Sequence, residues 1–417
     1  VGSSPVTPLP YTYGAGLVSG YISAPEADNP VVRRPGCPHR PIIGSFTERL
    51  EGFDMLRLQA PLPERFIADD PANDARIRAA REALGDRVYI LGHHYQRDEV
   101  IAWADARGDS FRLSQLAMEH PEADYIVFCG VHFMAESADI LTGDHQQVIL
   151  PDLNAGCSMA DMADLDEVED AWEEISRVTD IDRVVPITYM NSSAAIKAFV
   201  GEHGGAVCTS TNARAILEWA FKRGDKVLFL PDQHLGRNTG VAMGYGLEDM
   251  AIWDPRRDRG GLEEAQVKEL TFLLWRGHCS VHQRFTPALV DAFRSEFPDG
   301  EVIVHPECPH ETVQAADRAG STDFIIRAVE AAPAGSEFGI GTEIHLVSRL
   351  AAEHPDKRIV SLDPMVCPCS TMFRIDSAHL AWILEGLVEG RVENRITVDG
   401  ETARWARVAL DRMLSIT

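Results

Sequence analysis

The sequence lacks long hydrophobic runs, is poor in basic residues and contains few cysteines for its length. No apolar stretch reaches the roughly 18 residues of a membrane-spanning helix, so no membrane span is expected. The 39 Lys and Arg against 64 Asp and Glu give a net charge of −25. Because phosphate binding needs clustered basic residues, nucleic acid is not expected as the main partner.

The N-terminus and the cysteine count bear on the cellular compartment. Residues 1–10 lack the basic and apolar regions of a signal peptide. Eight cysteines in 417 residues are too sparse for a disulfide scaffold. We therefore expect a cytoplasmic protein with reduced thiols, some of which could bind metal.

Length and composition indicate a globular protein of more than one domain. The chain has 417 residues, 45% of them hydrophobic, which suggests two or three domains. Residues 1–80 are rich in proline and read as an N-terminal extension to which we assign no chemistry. Regular patterning begins with a helix predicted from Asn73 to Leu84, closed by Gly85.

From residue 81 onward, short apolar strands alternate with helical segments in three similar passes. The sequence predicts strands at 88–91, 125–129, 147–150, 184–187, 226–230, 302–304, 337–340 and 358–362. We therefore predict an α/β fold of three pseudo-threefold-related α/β/α domains with small parallel sheets around a central active site. The predicted repeats span 81–178, 179–296 and 297–377, with a surface loop inserted near 244–261 and the C-terminal helices of 378–417 packing back on the first repeat.

Four landmarks recur in the same order in each pass, which indicates a triplicated unit. They are a polar pair after the first strand, a helix-opening serine, a histidine after the next strand, and a cysteine. The pairs are His93/Tyr95, Tyr189/Asn191 and His305/Glu307; the serines are Ser110, Ser210 and Ser321; the histidines are His132, His234 and His345; the cysteines are Cys157, Cys279 and Cys369. Hydroxyls at helix starts would cap those helices and leave backbone N–H groups facing an anion.

One cysteine from each repeat could meet the others at a single metal centre. Thiolates are natural ligands of zinc and of iron–sulfur clusters, and the spacing does not decide between the two. Three protein ligands leave an open coordination position, as in catalytic metal sites.

Several motifs, in order over roughly residues 85–390, resemble those of the quinolinate synthase family. They are Gly-His-His-Tyr-Gln from 92, Gly-Asp-Ser from 108, Pro-Asp-Leu-Asn-Ala-Gly-Cys from 151, Thr-Tyr-Met-Asn-Ser-Ser from 188, Pro-Asp-Gln-His-Leu-Gly from 231 and His-Pro-Glu-Cys from 305. The resemblance implies a [4Fe–4S] enzyme of NAD biosynthesis. Such an enzyme condenses iminosuccinate with dihydroxyacetone phosphate to quinolinate, with loss of phosphate and water. The aspartate-oxidising enzyme that supplies iminosuccinate is then a candidate partner.

The resemblance also implies the cluster ligands. Cys157, Cys279 and one of Cys367 and Cys369 match the family's cysteines. We prefer Cys369, because Met372 follows it by three residues as in the family pattern, whereas Cys367 is followed by proline as in many relatives. The free iron of the cluster is expected to act as a Lewis acid.

Further site residues follow from the same motifs. The substrates' carboxylates and phosphate are assigned to His93, Ser110, Tyr189, Asn191, Ser210, His305, Glu307 and Thr322. Glu307 is the predicted general base and Tyr95 assists it. His282 is predicted to contact the intermediate or to orient the site.

Other interpretations remain open at this stage. A zinc lyase or hydrolase could use the same thiolates, a non-enzymatic redox or iron sensor could carry the cluster, and Cys367 and Cys369 could form a redox-sensitive pair. Cys129, Cys208 and Cys308 are expected to be core or loop residues. The three recurring histidines are expected to be hydrogen-bonded structural groups.

Overall fold

A computed structural model describes residues 59–365 and 368–416, which fold around three small sheets. The predicted α/β fold with small parallel sheets is confirmed, and each predicted strand is present to within two residues. The boundaries of the repeats stay a prediction. Cys37, Cys367 and most of the proposed extension lie outside the described residues. Among the described helices, none combines the length and the hydropathy that crossing a membrane requires.

The first sheet is built from residues 88–149. Its parallel strands are β1 (Val88–His93), β2 (Ala106–Gly108), β3 (Tyr125–Cys129) and β4 (Gln147–Ile149). Its helices are α1 (Ala72–Leu84), α2 (Asp98–Ile101), α3 (Ser110–Glu119) and α4 (His132–Leu141). Strand β3 is buried along its whole length, as expected for a parallel strand covered on both faces.

The second sheet is built from residues 184–275. Its strands are β5 (Val184–Tyr189), β6 (Ala206–Cys208), β7 (Lys226–Leu230), β8 (Met250–Trp253) and β9 (Phe272–Trp275). Its helices are α5 (Leu165–Ser176), α6 (Ala194–Glu202), α7 (Ala213–Ala220), α8 (Gln233–Ala242) and α9 (Glu264–Glu269). The sequence predicted a surface loop near 244–261, but β8 lies there and pairs in parallel with β9. Met250 and Trp253 bury their side chains against the sheet, which is why the segment does not stay a loop.

The third sheet is built from residues 301–361. Its strands are β10 (Glu301–Val304), β11 (Arg318–Ala319), β12 (Glu337–Gly341) and β13 (Arg358–Ser361). Its helices are α10 (Pro287–Glu296), α11 (His310–Ala315), α12 (Thr322–Ala331) and α13 (Ile344–Glu353). Successive residues of β10 enter opposite cores, since Val302 and Val304 pack on one face and Ile303 on the other.

All three sheets share one strand order, which fixes where a ligand can bind. The orders are β2-β1-β3-β4, β6-β5-β7-β9 and β11-β10-β12-β13. In each sheet, the second strand along the chain lies on one side of the first strand, and the third strand lies on its other side. Ligands of such sheets bind beyond the carboxyl ends of the strands at this switch point. The residues after β1, β5 and β10 therefore occupy the three binding positions.

The C-terminal elements join the first and second sheets. They are α14 (Ser377–Val388), β14 (Arg395–Ile396) and α15 (Gly400–Ser415). Strand β14 pairs antiparallel with β4, and α14 packs against α1. The prediction that residues 378–417 pack back on the first repeat is wrong for α15, which packs mainly against α6. Glycine permits this close approach, because a Cβ at Gly201 would lie 2.0 Å from the carbonyl oxygen of Trp405.

Candidate active site

One enclosed cavity lies at the carboxyl ends of all three sheets. It has an empty volume of about 670 Å³. Every site residue predicted from the sequence lines it, namely His93, Tyr95, Ser110, Cys157, Tyr189, Asn191, Ser210, Cys279, His282, His305, Glu307, Thr322 and Cys369. The fold thus brings the predicted groups together, although the role of each stays a prediction.

Two buried histidines present the same ring nitrogen to a backbone amide. The N–H of Tyr95 donates to His93 Nδ1 at 3.1 Å, and the N–H of Glu307 donates to His305 Nδ1 at 3.3 Å. Burial lowers the pKa of His93 to about 3 and that of His305 to about 3. Both rings are therefore neutral at physiological pH, with the proton on Nε2 and available for donation.

Glu307 is buried, and its carboxylate contacts two side chains from the second predicted repeat, residues 179–296. Tyr189 donates its hydroxyl to Glu307 Oε1 at 2.6 Å, and His282 Nδ1 lies 2.7 Å from Glu307 Oε2. Burial alone would raise the pKa of Glu307, but the neighbouring imidazoles and these hydrogen bonds bring it below its ordinary value. Glu307 is therefore a carboxylate that accepts a hydrogen bond from Tyr189 and is in close polar contact with His282.

Thr342, which sequence reasoning missed, connects this carboxylate to Tyr95. Its Oγ1 lies 3.0 Å from His282 Nε2 and 2.8 Å from the Tyr95 hydroxyl. The Tyr95 hydroxyl also lies 3.0 Å from Thr322 Oγ1. An unbroken chain of polar contacts thus runs from Glu307 through His282 and Thr342 to Tyr95. Thr342 follows β12 directly, so its place at a strand end was the available signal.

The two phenols of the site are protonated. Burial raises the pKa of Tyr95 well above its ordinary value, and the nearby Glu307 carboxylate raises it further. Burial and Glu307 act in the same direction on the pKa of Tyr189. Both hydroxyls can therefore donate a proton in a hydrogen bond at physiological pH.

Three helix starts border the cavity, but their capping differs from the prediction. Ser321 caps α12 as expected, since its hydroxyl accepts the N–H of Phe324 at 3.3 Å. The capping prediction is wrong for Ser110 and Ser210, because Asp109 caps α3 and Asn212 stands at the N-cap of α7. Asp109 takes the cap next to Ser110, whereas Asn212 makes no side-chain capping hydrogen bond, so neither serine hydroxyl is used in capping.

The three predicted cysteines begin the same local structure. Three residues after each one, a single 3₁₀ turn begins, at Ala160–Met162, His282–Arg284 and Met372–Arg374. The backbone N–H of the first residue of each turn donates to the cysteine sulfur. The next N–H donates to the cysteine carbonyl at 3.1, 2.9 and 2.9 Å. Each sulfur therefore receives a main-chain donor, which favours a thiolate.

The three cysteines are partly buried, and their thiols interact electrostatically with one another. Burial raises the pKa of Cys157 to about 12, and the pKa values of Cys279 and Cys369 are raised for the same reason. Negative charge on neighbouring cysteines raises the pKa of Cys157 and Cys279 further. Ionisation of all three thiols is therefore unfavourable without a positive charge nearby. A bound cation would stabilise the three thiolates.

The Cys369 segment has an additional anchor that the sequence did not indicate. Glu343, directly after Thr342, accepts the backbone N–H of Cys369 at 3.1 Å and lies 2.8 Å from His345 Nδ1. The His345 ring stacks on Phe373, in the turn after Cys369. Cys369 is therefore fixed from both sides, whereas Cys367 lies outside the described residues.

A second ligand set also lies at the cavity. One atom each of Cys279, His282 and Glu307 fall within 4.8 Å of one another. Both ring nitrogens of His282 already contact Glu307 and Thr342, so a metal on His282 would break the chain of polar contacts. The three thiols of Cys157, Cys279 and Cys369 line the same cavity and are another candidate ligand set. Its composition suits zinc or an iron–sulfur cluster.

The remaining predicted landmarks are structural, as expected. Cys129, Cys208 and Cys308 are free, fully buried and absent from the cavity wall. The recurring histidines have polar neighbours: His132 Nδ1 lies 3.3 Å from Glu136, and His234 Nε2 lies 2.8 Å from Gln283 Oε1. These groups stabilise the surroundings of the cavity.

The fold and the site define an α/β enzyme that acts on a small molecule inside an enclosed, metal-capable cavity. Comparison with known proteins agrees. The family model described as "Quinolinate synthetase A protein" matches residues 75–415. The chain is 59% identical to a quinolinate synthase of Corynebacterium glutamicum over 359 residues, covering 86% of this chain and 91% of that protein.

Two further relatives give the same result. The chain is 61% identical to a quinolinate synthase of a Nocardioides species, covering 84% of this chain and 90% of that protein. It is 58% identical to a quinolinate synthase of Streptomyces coelicolor, covering 83% and 89%. The chain belongs to the quinolinate synthase family.

Proposed function

We propose that this enzyme condenses iminosuccinate with dihydroxyacetone phosphate to quinolinate, the quinolinate-forming step of NAD biosynthesis. The reaction releases one phosphate and two waters. The atoms balance without an oxidant or a reductant, so the site needs proton transfer and charge stabilisation but no electron transfer. Family membership supports the product, and the residues predicted to bind the substrates line one cavity.

We propose that Cys157, Cys279 and Cys369 hold a [4Fe–4S] cluster. The repeated turn supports this set, because each of these cysteines offers a sulfur with a main-chain donor at the cavity wall. When bound, the cluster supplies a Lewis-acidic iron that polarises a substrate oxygen. All other steps fall to the side chains of the cavity.

Glu307 is assigned the role of general base. It is an oriented carboxylate in an enclosed site, and its neighbours Tyr189 and His282 stabilise its charge. A proton that reaches Glu307 can be shared with His282, and the chain continues through Thr342 to the Tyr95 hydroxyl. Tyr95 is therefore assigned as the proton donor to a departing hydroxyl, with Thr342 and His282 holding it in place.

Neutral donors are assigned to the substrates' anionic groups. Among the described residues that line the cavity there is no lysine or arginine. The available donors are the Nε2–H groups of His93 and His305, the hydroxyls of Ser110, Ser210 and Thr322, and the amide of Asn191. Donors in a water-poor cavity interact with carboxylates and phosphate more strongly than they would in water.

A cytoplasmic location and supply of iminosuccinate by an aspartate-oxidising enzyme complete the proposal. The six cysteines that the structure describes are all free, which is typical of a reducing compartment.

The observation that carries the proposal is the meeting of three cysteine turns and the chain of polar contacts from Glu307 to Tyr95 in one cavity. The test is an anaerobic assay of the purified full chain with both substrates, with quinolinate and phosphate measured together. We expect the two products in a one-to-one ratio. Quinolinate formation that is absent from iron-loaded protein would contradict the proposed function.

A further inference from the structure

The three segments that carry the proposed ligands are joined to one another by side chains. These cysteine segments are residues 150–162, 275–284 and 363–374, of which 366 and 367 lie outside the described residues. Each contains a cysteine and ends with the 3₁₀ turn described above. The contacts between segments have not entered the account of the active site so far.

The last residue of each turn bonds to a neighbouring segment. Trp275 Nε1 of the second segment donates to the carbonyl oxygen of Met162, the last residue of the first turn, at 2.6 Å. Arg284, the last residue of the second turn, donates through Nε to Asp363 Oδ2 at 2.8 Å.

The third contact closes the ring. Arg374, the last residue of the third turn, donates through Nε to Asp152 Oδ2 of the first segment at 2.8 Å. Turn one thus meets segment two, turn two meets segment three and turn three meets segment one. The contacts follow the same cyclic order as the three sheets.

Two of the three contacts have a fully buried partner. Trp275 and Asp152 are both 0% exposed, whereas the side chain of Asp363 is 12% exposed. The other oxygen of Asp152 accepts the backbone N–H of Asn154 at 2.9 Å, which fixes the carboxylate five residues before Cys157. Removing the partner of a buried polar group costs more than removing an exposed pair.

We propose that this ring of contacts, which we call the interlock, positions the three cysteine sulfurs before any metal is bound and slows the loss of the centre afterwards. The proposal rests on the proposed function, because it takes the three thiols as metal ligands. Pre-organised ligands bind a metal more tightly because less ordering is required at the moment of binding. Arg374, Trp275 and Arg284 are therefore positioning residues that touch neither the substrate nor the cluster.

The test compares variants that remove one contact each. Arg374→Met and Trp275→Phe remove the contacts with a buried partner, and Arg284→Met removes the more exposed one. Arg294→Met is the matched control, because Arg294 bonds Asp317 at 2.8 Å with the same 40% side-chain exposure as Arg284, and neither Arg294 nor Asp317 belongs to a cysteine segment.

The first readout is the rate at which anaerobically purified protein loses iron to a chelator. We expect Arg374→Met and Trp275→Phe to lose iron roughly tenfold faster than the unmodified chain. The rate for Arg284→Met should be intermediate, and the rate for Arg294→Met should equal that of the unmodified chain. Equal rates of iron loss in all four variants would overturn the interlock. This holds even if a substitution changes the thermal unfolding temperature of the cluster-free protein.

The second readout uses cluster-free protein and Cd²⁺, whose bond to thiolate absorbs in the ultraviolet. The interlock predicts roughly tenfold weaker Cd²⁺ binding in Arg374→Met and Trp275→Phe and unchanged binding in Arg294→Met. This arm separates the two proposals. A chain purified without iron would contradict the cluster, while the Cd²⁺ affinities would still decide the interlock.

Discussion

Two walls of the same cavity are built in different ways. The thiol wall consists of Cys157, Cys279 and Cys369, each placed by the same main-chain turn in a different unit. The hydrogen-bonded wall consists of Tyr95, Tyr189, His282 and Glu307. Thr342, which does not line the cavity, joins Tyr95 to His282. The first wall repeats one local structure three times. The second has no internal repetition.

The difference shows how a repeated fold can hold an asymmetric reaction. Tyr95 and Asn191 lie two residues beyond the ends of β1 and β5, and Glu307 lies three residues beyond the end of β10. Three corresponding places thus hold a phenol, an amide and a carboxylate, which differ in proton affinity and hydrogen-bonding capacity. In the proposed mechanism, repetition supplies equal ligands for a metal, while divergence at the strand ends supplies different groups for proton transfer.

The thiol wall is expected to be indispensable. Cys157→Ser or Cys279→Ser should abolish iron binding and quinolinate formation, because a hydroxyl is a poor substitute for a thiolate on iron. Iron analysis and the activity assay check this. Cys129→Ala is the control, since Cys129 is buried outside the cavity and its replacement should leave the iron content unchanged.

The hydrogen-bonded wall is expected to govern rate but not metal binding. Glu307→Gln keeps the shape of the side chain but removes the charge that Tyr189 and His282 stabilise. Loss of a general base should lower kcat by about 10²–10⁴-fold while the iron content stays that of the unmodified chain. A kcat within about twofold of the unmodified value would remove Glu307 from its assigned role.

Substitution of Thr342 tests whether its hydroxyl links Tyr95 to His282 during the reaction. Thr342→Val preserves volume but removes the hydroxyl that contacts both Tyr95 and His282. We expect kcat to fall by about 10–100-fold, the equivalent of one or two buried hydrogen bonds. Thr342→Ser keeps the hydroxyl and should retain most of the activity. If both variants behave alike, the chain of polar contacts has no part in the reaction.

The smallest effect concerns stability at acid pH. Because the pKa of His93 is lowered to about 3 by burial, the unfolded chain takes up a proton below its ordinary pKa of 6.5 whereas the folded chain does not. The contribution of His93 to stability is therefore complete above pH 6.5 and is lost as the pH falls toward 3. His93→Asn should reduce the slope of unfolding free energy against pH by about 1.4 kcal/mol per pH unit in this window.

Urea unfolding of cluster-free protein at several pH values between 4.5 and 6.5 measures that slope. The comparison is made on slopes because the substitution also changes stability at every pH. An unchanged slope would show that His93 is protonated in the folded chain.

The repeated features of this protein could be predicted from the sequence, and the reasons are local. Apolar strands of three to five residues, each followed by polar residues, predict both the small sheets and the ends at which ligands bind. The order of the landmarks then predicts that the strand ends of three units meet. The cavity wall agrees with this for every candidate residue.

The features that escaped prediction depend on long-range packing. Thr342 and Glu343 read as ordinary residues after a strand until the structure places them beside Tyr95 and Cys369. The contact between Arg374 and Asp152 joins residues 222 positions apart, for which no local pattern exists. The same holds for the packing of the last helix on the second unit, where Gly201 permits the close approach.

The most direct test of the central claim is metal analysis of anaerobically purified full chain, Cys367→Ser and Cys369→Ser. The account predicts equal amounts of iron and sulfide, about four of each per chain, in the unmodified protein and in Cys367→Ser, and almost none in Cys369→Ser. Zinc without sulfide in the unmodified protein, or loss of iron on replacing Cys367 but not Cys369, would contradict it.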